Sequence, residues 1–172
     1  MFRFKKISLL IVILFLFSSK VISNDNFFFV DKDFIYSNSK LGKELENKIR
    51  IKTSELNEGI KLYQDELIYR KDQLTKKKNV ISVKEYDNEI NTIEQDIKKI
   101  NQKIAKQSFD LQTYENDSKI IFLNELKKIM AYYAENNNIS LIFDKSAIVI
   151  GKKELDLSKN IMSIMDDNYN KN

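Results

Sequence analysis

The side chains of this 172-residue chain best suited to act on another molecule are cations and rings. Arg70, Lys71, Lys76, Lys77, Lys78 and Lys84 crowd one stretch in which Asp72 is the single acid, a local net charge of +5. Such a cluster steers acidic partners or an anionic surface in a salt-dependent way. Tyr69 and Phe109 stand among charges and are candidate contacts for apolar groups of a partner. The rest of the inventory removes whole classes of chemistry. There is no cysteine, hence no thiol nucleophile, disulfide, Cys-based zinc site or lipid attachment point. There is no histidine, the commonest general base and metal ligand near neutral pH. Gly42, Gly59 and Gly151 are too scattered to cradle a phosphate. Only a carboxylate pair or a lysine is left for acid–base work, and neither stands in a recognisable setting. No catalytic residue, cofactor or metal site is expected.

The cluster sits inside a long stretch, Lys40 to Asn138, patterned as helix. From Leu45 the apolar positions step by four, three and four through Ile49, Leu56, Ile60, Tyr63, Leu67 and Leu74, with Lys52 and Lys71 filling steps. This eleven-residue period keeps one stripe on a nearly straight helix. Tyr86, Ile90, Ile93, Ile97, Ile100, Ile104, Leu111 and Tyr114 then follow a period of seven, with Gln107 interrupting. Stripes this narrow need a partner helix rather than a broad core. Between them Ser82-Val83-Lys84-Glu85 is a capping box, with Ile81 and Tyr86 at the staple positions. The pattern predicts a first helix from Lys40 to about Lys78 and a tip at 79–82. A second helix runs from Val83 to about Asn137. At 1.5 Å per residue these are ~58 Å and ~80 Å long and close as an antiparallel coiled-coil hairpin. The longer helix overshoots, placing Ile121, Phe122, Leu126, Ile129 and Met130 beside the ends of the chain. Tyr63 and Tyr114 then fall on the seam, and Tyr69 and Phe109 off it. The alternative, one rod of ~140 Å dimerising in parallel, is opposed by the change of period at Ser82.

Two β-type runs flank the arm. Phe27-Phe28-Phe29-Val30 precedes it, and Ile139 to Phe143 follows, then a polar break at Asp144-Lys145-Ser146 and a second run, Ala147 to Ile150. This predicts a hairpin joined by the first run into a three-stranded sheet. Ser158 is the expected N-cap of a last helix with Ile161, Met162, Ile164 and Met165 as its apolar face. The fold class is therefore α+β, mostly α, with segments 24–39 and 139–172 as the body and 40–138 as the arm. A body this small has a marginal core, so association is expected through Phe27, Phe28, Phe29, Val30, Leu141, Phe143, Ile148 and Ile150. Residues 1–23 read as a secretory signal peptide: Arg3, Lys5 and Lys6, then an apolar run from Ile7 to Phe17, then Val21 and Ser23 at the cleavage positions. The whole chain has 29 basic and 25 acidic residues; Arg3, Lys5, Lys6 and Lys20 go with the leader, leaving 25 of each. That neutrality removes the argument from overall basicity to nucleic acid.

Val30-Asp31, Ser39-Lys40-Leu41-Gly42-Lys43, Ile139 to Ala147 with its Asp144-Lys145-Ser146-Ala147, and Leu155-Asp156-Leu157-Ser158 carry a resemblance to the Skp/OmpH family of periplasmic chaperones. It covers essentially the whole mature chain. The resemblance implies a homotrimer with a small β-rich body and three helical arms around a cavity, like a jellyfish. It implies a periplasmic holdase that uses no ATP and keeps unfolded outer-membrane β-barrel proteins from aggregating. Family members are often strongly basic and this mature chain is neutral. Any attraction to anionic lipid or lipopolysaccharide is thereby confined to the arm tip. The alternative function is a coiled-coil structural or adaptor protein of the envelope that binds a folded partner.

Overall fold

The structure, a computed structural model, describes residues 26–171; the expected signal peptide lies outside the described residues. In chain order the elements are β1 (Phe27–Val30), α1 (Lys32–Asn38), α2 (Lys40–Lys77), α3 (Val83–Asn136), β2 (Leu141–Asp144) and α4 (Ser158–Tyr169).

The two long helices form one antiparallel arm. Ser39 starts α2, its hydroxyl accepting from the Gly42 N–H at 3.2 Å. The helix ends at Lys77, with Lys76 and Lys77 in a last turn whose free carbonyls favour cations. Ser82 then restarts the chain as α3 through a complete capping box. Its Oγ accepts from the Glu85 N–H, and the Glu85 carboxylate accepts from the Ser82 N–H at 3.0 Å. Without a proline to stop it, α3 is terminated by Asn138, which takes φ 51° just past the cap Asn137. The Ile139 N–H then returns to the Ala134 carbonyl at 3.0 Å, the six-to-one bond of a Schellman motif.

The seam follows the two stripes. Leu45, Leu74 and Ile93 are buried, and Leu56, Ile60, Tyr63, Leu67, Ile97, Ile100, Ile104, Leu111 and Tyr114 are half-buried. Lys52 and Lys71 are exposed; Thr53 and Arg70 occupy those steps instead. The register is fixed by polar crossings. Arg70 Nη1 donates to Asp96 Oδ2 at 2.7 Å, Lys103 Nζ donates to the Tyr63 hydroxyl at 2.5 Å, and Lys52 Nζ lies 4.8 Å from the Tyr114 ring centre.

Below the arm, the overshoot of α3 becomes the floor of the core. Phe122, Leu126 and Ile129 pack with Ile35 of α1, Leu45 of α2, Val30, Leu157, and Ile161 and Met165 of α4. Ile121, expected beside them, is exposed instead. The core is thus built mostly from helices, and α1, absent from the expected body, supplies one wall. Asp31 caps α1, accepting from the Phe34 N–H at 2.9 Å. Only Ser39 separates α1 from α2, and the two helices come close together at this junction. At Gly42 a Cβ would stand 1.8 Å from the Tyr36 carbonyl oxygen. No side chain fits there.

The sheet departs from expectation. It has two strands, and they pair in parallel, Phe27 opposite Leu141 and Val30 opposite Asp144. Residues Ala147 to Ile150 do not form a third. The Asp144 carboxylate accepts from the Ser146 N–H at 3.1 Å and opens a tight helical turn over Lys145–Ala147. That turn sends the chain away from β2 instead of folding it back. The other edge of β1 is taken at its end: the Leu157 N–H donates to the Phe29 carbonyl at 2.9 Å, and Phe29 bridges to Asp156. Ser158 is likewise not the cap of α4. Its Oγ accepts from the Asp31 N–H at 2.8 Å, and its own N–H donates to Asp156 Oδ1 at 2.9 Å.

The parallel pair is locked by a reciprocal clamp. Asp31 bonds Lys145 at 2.8 Å, and Lys32, one residue on, pairs with Asp144. The Lys145 hydrogen bond and that of the Phe34 N–H hold the Asp31 carboxyl below its ordinary pKa. Lys32 does the same for Asp144, and both lysines are raised in return.

Candidate functional site

The arm is the place where side chains are left over after folding. At the tip, the six expected cations separate into different environments. Arg70 is the least exposed; its guanidinium is spent on Asp96 across the seam, and that hydrogen bond raises its pKa. Lys76 pairs with Asp72 one turn back, and Lys78 Nζ lies 5.9 Å from the Tyr86 ring centre. Lys71, Lys77 and Lys84 are exposed and, among the described residues, stand in no ion pair. Acid also reaches the tip. A groove of about 510 Å³ between the helices there is floored by Leu74, Ile81 and Ile93, with Arg70 and Lys77 on one wall. Glu85 and Glu89 form the other wall. The Ser82 hydroxyl and N–H hold the Glu85 carboxyl below its ordinary pKa, so it stays ionised. The tip is a mixed-charge rim around an apolar floor.

The two ring candidates are both bare, Tyr69 at 63% and Phe109 at 67% exposure, but they do not share a surface. Tyr69 edges the tip groove. Helical periodicity puts Phe109 about half a turn from the α3 seam, on the outer side of that helix. Tyr63 and Tyr114 lie on the seam, each meeting a lysine of the opposite helix: the Tyr63 hydroxyl accepts from Lys103 Nζ at 2.5 Å, and Lys52 lies against the Tyr114 ring. The expectation missed Ile51, Leu62 and Ile68, which are exposed on α2, Leu62 at 70%. Their signal was present in the sequence. With Tyr69 they are the apolar residues that the eleven-residue stripe leaves out after its start at Leu45, and Leu62 and Tyr69 are seven apart.

At the body, the eight association candidates fall into three groups. Phe28 and Val30 go into the chain's own core. Phe27, Leu141, Phe143 and Ile150 are exposed, while Phe29 is nearly covered and Ile148 partly so. Phe27 and Phe143 lie with ring centres 6.4 Å apart. With Phe29, Ile148 and Ile150 they line an open apolar groove of about 350 Å³ on the outer face of the sheet. Among the described residues there is no cluster of His, Cys, Asp or Glu able to hold a metal ion. Nor, among them, is any helix long and apolar enough to cross a membrane.

The fold is that of known proteins. A crystal structure of an OmpH-like protein of Caulobacter crescentus CB15, described as an outer membrane chaperone, superposes with a TM-score of 0.79. The likeness covers 85% of this chain and 86% of that one at 13% sequence identity, which is a likeness of fold. No curated protein matches the chain. The model of the family "Outer membrane protein (OmpH-like)" matches residues 26–165, from the first strand to the last helix. The chain belongs to the OmpH-like outer membrane protein family.

Proposed function

We propose that this protein is an ATP-independent holdase of the periplasm. It binds unfolded outer-membrane β-barrel proteins between its arms and keeps them from aggregating. The observation that carries this reading is a long, thin arm whose seam is satisfied while Leu62, Ile68, Tyr69 and Phe109 remain in water. Scattered apolar and aromatic contacts among charges hold a chain by many weak interactions without ordering it, so the client loses little of its conformational freedom. Family membership supports the chaperone role. The apolar groove at Phe27, Phe143 and Ile150 supports assembly through the body, as a homotrimer whose three arms enclose the client. Lys71, Lys77 and Lys84 are the cations left to meet acidic client segments, anionic lipid or lipopolysaccharide.

Native mass by light scattering tests the assembly: three chains are expected, and a monomer removes the cavity on which the reading depends. Leu62→Ser/Tyr69→Ser tests the surface. The double variant should keep its helicity and need several-fold more protein to hold an unfolded β-barrel; unchanged holding would remove these side chains from the site.

A further inference from the structure

The outer edges of the arm carry opposite charge at the same height. Along α2, Glu55, Glu58, Asp65 and Glu66 are all exposed, in the same stretch as Leu62, with Lys61 the one base among them, a net charge of −3 over residues 55–66. Along α3, Lys98, Lys99 and Lys106 are exposed, Lys106 one turn before Phe109, and the acids nearest to this stretch are Asp96, spent on Arg70, and Asp110. Among the described residues none of these charges other than Asp96 is in an ion pair. The crossings of Tyr63 with Lys103, Arg70 with Asp96 and Lys52 with Tyr114 set the levels. By that register residues 55–66 stand beside 100–111, so the acidic and basic stretches overlap along the arm.

The two edges cannot neutralise each other within one arm. Two helices side by side span ~20 Å from edge to edge, about twice the screening length at physiological salt. They are free to pair with another arm. Copies pointing the same way present an acidic edge to a basic edge at matching height. Such head-to-tail contacts close into a ring when the rotation allows.

We propose that the mid-arm edges are an interface between copies of this chain, the α2 edge of one against the α3 edge of the next. A second copy is favoured over a disordered partner because Leu62 and Tyr69 repeat at seven residues, the spacing of helix against helix. The acidic edge repels an anionic membrane. This rests on the oligomeric reading above and adds to it a closed state of the arms, held by charge and opened by salt or by a client that competes for Leu62, Tyr69 and Phe109.

The chain has no cysteine, so Glu58→Cys/Gln102→Cys places two unique thiols on the opposite edges. A thiol cross-linker too short to reach across one arm then joins only neighbouring copies. Covalent oligomers should form at low salt and fall several-fold in about 0.5 M NaCl, where screening shortens below ~5 Å. They should fall likewise with Lys98→Glu/Lys99→Glu/Lys106→Glu and return when Glu55→Lys/Asp65→Lys/Glu66→Lys is added. An oligomeric native mass without such cross-links, or with cross-links indifferent to salt and charge reversal, overturns arm pairing and leaves the holdase reading standing. A monomeric native mass overturns both.

Discussion

At the residue scale, the chain's glycines and its clamp make opposite demands on substitution. Gly42→Ala puts a methyl into the Tyr36 carbonyl and is expected to cost about 2–3 kcal/mol, as overpacking against backbone does. Gly59 lies mid-helix with nothing within 4 Å of its Cβ position. Gly59→Ala is expected to stabilise by ~0.5–1 kcal/mol through helix propensity alone. Thermal unfolding of the pair checks both signs at once. The clamp has its own pH signature. Asp31 and Asp144 are lowered when folded, so their contribution is full above their unfolded pKa and disappears as pH falls through about 4 and below. Lys32 and Lys145 are raised, so theirs is full below the unfolded lysine pKa and lost as pH climbs past about 10.5. Lys32→Met/Lys145→Met should therefore lower Tm by about 2 °C at pH 7 and by less at pH 3. Equal losses at both pH values would show that packing, not pairing, was removed. The motif Asp144-Lys145-Ser146-Ala147 was readable as a turn, but not as half of a clamp: Lys145 and Asp31 are 114 residues apart.

At the element scale, what was local was legible. Ser82 and Glu85 satisfy each other within one turn of chain, so the hairpin's reversal could be read from four residues. The stripes gave the seam because a narrow apolar face on so long a helix has one use. The parallel pairing of β1 with β2 was not legible, since it depends on α1, the clamp and Asp156 closing around the strands. The seven-residue α1, rich in aromatic and β-branched residues, carries no stripe long enough to read. Val149 and Ile150 looked like strand because they are β-branched, yet they lie almost wholly in solvent. Two changes test the arm's construction. Ser82→Ala should cost about 1 kcal/mol by leaving the first α3 amides unpaired. A double-mutant cycle on Arg70→Ala and Asp96→Ala should give a coupling of about 0.5–1 kcal/mol, the upper range for partly exposed pairs. No coupling would remove this ion pair from what fixes the register.

At the scale of the whole molecule, little of the chain's mass is core. The buried cluster sits at one end, and the two long helices extend from it with their apolar seam closed and other apolar residues open. An account of function must say why those residues are left in water. We propose that they hold unfolded β-barrel chains without nucleotide. The direct measurement is light scattering from an outer-membrane β-barrel diluted out of denaturant, with increasing amounts of the protein and no ATP. The expected result is suppression of aggregation that saturates near one oligomer per client and weakens several-fold in Leu62→Ser/Tyr69→Ser. Aggregation that proceeds undiminished at a several-fold excess of protein would contradict the claim.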